Sequence, residues 1–317
     1  MEAFRALKIS AERLIFEKKL TVYAKTGIFL PMTDFDNYGS GADDIARRAE
    51  ESIRKTFRKK LFSRFAKAIV EYDLIQPDDK IAVCISGGKD SFAMAKLFQE
   101  LKRHNKIPFG LKFLVMDPGY NAQNYALIEK NARLLDIPIT VFKTDIFADV
   151  ESIGKSPCYL CARMRRGHLY HAAKDLGCNK IALGHHYDDV IETILMGMLY
   201  GGQMQTMMPK LKSANFEGMQ LIRPMYLIRE QHIKQWRDCN GLQFIRCACR
   251  FTERNADGEN PENESKRLKV KELIRRLEAE DGGIEQNIFR SVENVSLKTV
   301  IAYKDKDGVR HRFTDDY

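Results

Sequence analysis

The 317-residue chain carries 52 Lys and Arg against 43 Asp and Glu, a formal net charge of +9 that favours a polyanionic partner such as nucleic acid. It is 44% hydrophobic, yet no run approaches the roughly 18 apolar residues of a membrane helix. Glu2, Arg5, Lys8, Glu12 and Arg13 interrupt any signal-peptide core, so a cytoplasmic protein without a membrane partner is expected, and its seven cysteines should serve as ligands, catalysts or buried thiols rather than structural disulfides.

Residues 1–42 mix short apolar runs with the turn signals Thr26-Gly27 and Asn37-Tyr38-Gly39-Ser40-Gly41, and read as an N-terminal extension. From Asp43 to Leu74, within a 43–76 region, apolar residues recur at every fourth position: Ile45, Ala49, Ile53, Phe57, Leu61, Phe65 and Ile69. This predicts one amphipathic helix. Nine basic residues lie on or beside its other face, Arg47, Arg48, Arg54, Lys55, Arg58, Lys59, Lys60, Arg64 and Lys67. Such a face suits RNA phosphates and equally suits plain solvent.

From residue 77 the pattern changes to short β-rich runs at Lys80–Ser86, Leu111–Asp117, Ile137–Thr144, Lys180–His186 and Met219–Ile228. Helical patterns separate them at Asp90–His104, Asn121–Leu135, Cys161–Leu176 and Asp188–Tyr200. The alternation predicts an α/β domain over 77–250, with a mainly parallel sheet and helices on both faces. Beyond Arg229 the chain turns helical, with an exposed polar loop expected over Glu253–Lys266 and a C-terminal helical region and tail over 251–317.

Three motifs stand at the strand ends, where ligands bind in such folds. The first runs from Ile81–Ile85 directly into Ser86-Gly87-Gly88-Lys89-Asp90-Ser91 and then a helix. Paired glycines turn the backbone tightly with its N–H groups inward, and a helix start adds partial positive charge, so phosphates are held there. The spacing is not that of a Walker loop. The second is Cys158-Tyr159-Leu160-Cys161, followed by Arg163, Arg165 and Arg166. A helix start and nearby arginines favour thiolates, leaving redox, zinc and iron–sulfur roles open. Cys247 and Cys249 supply further thiols in a basic setting, whereas Cys84, Cys178 and Cys239 are expected to be buried. The third is Gly184-His185-His186-Tyr187-Asp188-Asp189, with Glu192 one turn on. Adjacent carboxylates beside a phosphate site suit magnesium, though Asp at a helix start also serves as a cap.

The Ser86–Ser91 run resembles the SGGxDS signature of PP-loop ATP pyrophosphatases, with their adenine nucleotide alpha hydrolase-like fold. The three motifs in order, together with Tyr200-Gly201-Gly202, Met208-Pro209-Lys210-Leu211 and Ile222-Arg223-Pro224, resemble the tRNA 2-thiocytidine synthetase family over Arg64 to Cys249. The resemblance implies ATP bound by Ser86, Gly87, Gly88, Lys89, Asp90 and Ser91, near Met116 and Gly184. It implies Mg²⁺ assisted by Asp90, with Asp188, Asp189 and Arg165 in the catalytic cleft, and a [4Fe–4S] cluster on Cys158, Cys161 and Cys247. The family has a second cysteine at CxxC spacing after the Arg-Pro strand, whereas this chain has CxC, so Cys249 competes with Cys247 for the third ligand. The implied activity is ATP-dependent adenylation of a base oxygen and its replacement by sulfur, giving 2-thiocytidine at position 32 of tRNA. The implied partners are tRNA and a cysteine desulfurase or other sulfur donor; a homodimer is the further assembly considered. A thiolase for a uridine or another RNA site, and a non-catalytic iron–sulfur RNA sensor, are the alternatives.

Overall fold

The computed structural model describes residues 41–104, 107–144, 157–245 and 262–316. The expectations for the 1–40 part of the extension, for Cys247 and Cys249, and for most of the 253–266 loop lie outside those residues. Two units emerge, one drawn from Met1–Asp188 with Met208–Asn260, the other from Asp189–Met207 with Pro261–Tyr317.

In the first unit the strands are β1 (Lys80–Ile85), β2 (Gly110–Asp117), β3 (Ile139–Lys143), β4 (Lys180–Ala182), β5 (Lys210–Lys212) and β6 (Gln220–Ile222). They form one sheet in the order β3-β2-β1-β4-β6-β5, parallel throughout except for β5 against β6. Alternate side chains of a strand face opposite ways, and β1 shows the consequence. Ile81, Val83 and Ile85 enter one core with Phe92, Phe98 and Trp236, while Ala82 and Cys84 enter a second with Met116, Tyr170 and Ile181. Helices α3 (Lys89–Arg103), α4 (Ala122–Leu134) and α7 (Glu230–Cys239) contribute to the first core and α5 (Pro157–Asp175) to the second. Both faces of the sheet are therefore covered, as the alternating pattern requires. The strand order reverses between β1 and β4, so their carboxyl ends frame the crevice where ligands bind in open α/β sheets.

The basic segment departs from its expected form. It is α1 (Gly41–Arg54), a wide turn at Arg58–Phe62 and α2 (Ser63–Glu71), not a continuous helix. A strict four-residue repeat drifts by about 40° per step against a 3.6-residue turn, so one straight helix cannot keep Ile45 through Ile69 on a single face. The wide turn underwinds the chain and restores the face: Ala49, Ile53, Phe57, Leu61, Phe65 and Ile69 are all buried. Arg47, Arg48, Lys55, Lys59, Lys60, Arg64 and Lys67 are exposed, while Arg54 and Arg58 are half-buried.

Strands β4 and β6 are shorter than expected because the chain leaves the sheet at Leu183 to build the site, and Pro224 supplies no donor to extend β6. Cys84 and Cys178 are buried as expected, and burial pushes the Cys84 thiol up to about 12. Cys239 is a correction. It is exposed, because Asn240 rather than Cys239 shares the buried face of α7 with Ile233 and Trp236. The second unit holds most of α6 (Tyr187–Gly201), together with α8 (Glu262–Glu280), α9 (Ile284–Ser291) and an unanticipated hairpin of β7 (Ala302–Lys304) and β8 (Arg310–Arg312). The polar run thus becomes helix from Glu262 onward. Among the described residues no helix is long and apolar enough to cross a membrane.

Candidate active site

Strand β1 delivers the chain to Ser86, and Gly87 turns it with φ 89°, a left-handed backbone that favours glycine. A Cβ at Gly87 would run into Ile245 and lie 2.8 Å from Ile128 Cγ1. Gly88 begins α3 from an extended conformation and offers no side-chain cap, so the first N–H groups of the helix are presented for an anion. Buried Ser91 ties the loop together: its hydroxyl donates to Gly88 O at 2.9 Å and accepts from Ser86 N at 3.2 Å.

The segment after β4 closes over this helix start. A Cβ at Gly184 would stand 3.3 Å from the backbone C of Asp90 and the N of Ser91, so only glycine permits the approach without displacement. Two residues on, buried His186 lies between two carboxylates, with Nε2 3.9 Å from Asp90 and Nδ1 3.8 Å from Asp188. Asp188 accepts from Glu230 N at 2.7 Å, capping α7, and pairs with Arg229 at 3.3 Å. Lys89 reaches Asp90 at 3.0 Å and Glu230 at 3.1 Å. Burial works against its charge, but the two carboxylates outweigh it and hold the ammonium above its ordinary range. Asp90 Oδ1 is buried and accepts no hydrogen bond among the described residues. A cleft of about 800 Å³ opens beside Gly88, Lys89 and Asp90, walled further by α7 and by Leu127 and Phe244.

The residues singled out from sequence are distributed as follows. Ser86 through Ser91, Gly184 and Asp188 converge at the β1 and β4 ends. Met116 is buried in the second core near the end of β2. Just beyond, Asp117 accepts from Gly119 N and Tyr120 N, and the Tyr120 hydroxyl donates to Ser86 O at 3.4 Å. Asp189 is turned to other partners: within the second unit it lies 3.5 Å from Arg267, which also holds Glu192 at 2.8 Å. Burial raises the Glu192 carboxyl above its usual range against the pull of Arg267 and Lys271. Arg165 is half-buried on α5, which carries Cys158 and Cys161 near its start, three residues apart. The described chain breaks off at Ile245, packed over Gly87, two residues before Cys247. Among the described residues no three His, Cys, Asp or Glu side chains form a metal site. His186 stood in the third motif without an assigned role, and Glu230 was not among the expected site residues. The Arg229-Glu230 pair at the start of a helical pattern was the available signal, because acidic groups favour a helix N-terminus.

The PP-loop domain family matches residues 55–254, and this defines the chain as a PP-loop protein. The chain is 34% identical over 279 residues to a tRNA-cytidine(32) 2-sulfurtransferase of Paraburkholderia phytofirmans, covering 83% of this chain and 79% of the relative. A Vibrio vulnificus enzyme of the same name is 34% identical over 254 residues, 78% of each chain. The chain belongs to the tRNA-cytidine(32) 2-sulfurtransferase family, a family of transferases. Among solved structures, the U34-tRNA thiolase NcsA from Methanococcus maripaludis with its [4Fe-4S] cluster shares the fold, with TM-score 0.56 and 21% identity over 81% of this chain and 80% of that one.

Proposed function

We propose that this chain uses ATP to activate a cytidine carbonyl oxygen at position 32 of tRNA and replaces that oxygen with sulfur. The observation that carries the reading is the meeting of an uncapped α3 start, Lys89 and the hydrogen-bond-free Asp90 Oδ1 at the switch between β1 and β4. It is supported by the family membership above. The α3 N–H groups and Lys89 would hold the phosphates, and Asp90 fits a magnesium ligand because hard cations take carboxylate oxygen. His186 and Glu230 keep Asp90 and Lys89 in place, Asp188 fixes the start of α7, and Arg165 contributes a positive charge toward RNA.

The base oxygen forms a bond to the α-phosphorus as the bond to the β-phosphate oxygen breaks, and pyrophosphate leaves with the electron pair. A sulfide-level nucleophile, either inorganic sulfide or the outer sulfur of a cysteine desulfurase persulfide released as two thiols are oxidised to a disulfide, then attacks the carbon, and AMP departs with the former carbonyl oxygen. Cysteine thiolates at 158, 161 and 247 are the donor set of an iron–sulfur cluster. Cys158 and Cys161 both fall within α5, three positions apart in the chain, and thiolates are the usual ligands of such a cluster. Bound there, a [4Fe–4S] cluster would supply one iron with no protein ligand. The RNA specificity is tested by the thionucleosides of tRNA from a strain lacking this gene. Loss of 2-thiocytidine alone is expected; loss of a thiouridine with 2-thiocytidine retained would overturn the base assignment.

A further inference from the structure

Resting on that reading, we propose that α7 carries a second anion subsite, built from Lys234 and Arg237, that receives the leaving pyrophosphate. Both side chains line the same cleft of about 800 Å³ as Gly88, Lys89 and Asp90, a volume suited to a nucleotide-sized ligand. They are three residues apart on α7 and so neighbour each other on one helix face. Three cations, Lys89, Lys234 and Arg237, line the cleft beside Asp90 and Asp238, and Glu230, which pairs with two of them, brings the carboxylates to three. The partial positive charge of the α3 start is what tips this balance toward an anion. Its apolar walls weaken solvent screening and strengthen that attraction.

Glu230 couples the two sides. Its carboxylate pairs with Lys89 at 3.1 Å and with Lys234 at 3.0 Å, so both ammonium groups are oriented by one half-buried acid. Arg237 is paired only with its neighbour Asp238, at 2.7 Å, among the ion pairs of the described residues. Exposure sets an order: the Lys89 side chain is 18% exposed, Lys234 40% and Arg237 34%. The α7 cations are thus more open to solvent than Lys89. As the bond to the α-phosphorus breaks, pyrophosphate gains charge, and these two cations meet it. Glu230 is the positioning residue of the pair.

The test uses the full-length protein with its cluster, prepared without oxygen, and inorganic pyrophosphate as the probe. Lys234→Ala and Arg237→Ala should each raise the pyrophosphate inhibition constant about tenfold, the size expected for a charge-assisted contact, with tRNA affinity retained. Glu230→Gln should act in the same direction, and its effect should shrink in the Lys234→Ala background, since a residue acting through Lys234 is not additive with it. If the double variant does not fold, Lys234→Met carries the same comparison. An unchanged inhibition constant while ATP still yields AMP and pyrophosphate would overturn the subsite. So would a fall in tRNA affinity alone, which would assign the cleft to RNA. Formation of ADP by the wild type would instead remove the underlying reading.

Discussion

Substitution of Gly87 by Ala perturbs the nucleotide loop through two separate physical effects. A left-handed backbone at φ 89° costs an L residue roughly 1–2 kcal/mol. The new Cβ would also press on Ile245 and Ile128, and overpacking of a filled site typically costs about 1–3 kcal/mol. Together these give about 2–5 kcal/mol held in a loop that, in the proposed function, cradles the phosphates. If the loop relaxes by abandoning that shape, kcat/KM for ATP should fall by roughly 30-fold to several thousandfold. Steady-state AMP formation measures this, with tRNA binding as the control for folding. Adding Ile245→Ala should restore only part of the loss, because the contact with Ile128 and the backbone strain persist. Wild-type ATP kinetics in Gly87→Ala would mean that the loop keeps its working shape with a Cβ at this position.

Other predictions follow from the same structure. Replacing Cys158, Cys161 or Cys247 by Ala should each remove the visible absorbance and iron of anaerobically purified protein, while Cys249→Ala should not; iron analysis checks both. Reversing Arg48, Lys55, Lys59 and Lys67 to Glu should weaken tRNA binding well over tenfold at low salt and flatten its salt dependence, read by titration at several ionic strengths. Arg54 is left out because it pairs with Glu50 and with buried Glu100, so its reversal would disturb folding. Burial and the nearby cations Lys60, Arg64 and Arg229 hold His232 below its ordinary 6.5 against the pull of Asp188. Its unfolded form therefore binds protons more readily, and its stability contribution is present above about 6.5 and lost as pH falls through the lower folded value. Urea denaturation between pH 7 and 5 should show a smaller decline in His232→Gln.

The parallel sheet and the Ser86–Ser91 loop were readable in sequence because both rest on local patterns: hydrophobic runs alternating with helices, and paired glycines between a strand and a helix. The two-sided core follows from the same runs. Less legible was the division of labour within Gly184–Asp189, since adjacent Asp188 and Asp189 look equivalent until the start of α6 points them to different partners. His186 and Glu230 join the site through contacts across the fold, and Glu230 follows Lys89 by 141 positions. The break in the basic helix was legible in principle. Its four-residue period could not fit a straight helix, and only a wide turn reconciles that period with a single buried face.

In the proposed reaction one site couples α-phosphorus chemistry to replacement of a cytidine oxygen. The most direct measurement of this coupling is a reconstituted reaction of the cluster-bearing protein with tRNA, ATP, Mg²⁺ and a sulfide source, followed by nucleoside and nucleotide analysis of the same sample. One AMP and one pyrophosphate are expected for each 2-thiocytidine formed, and no thionucleoside when ATP is omitted. ADP and phosphate as the products, or 2-thiocytidine formed without ATP, would contradict it.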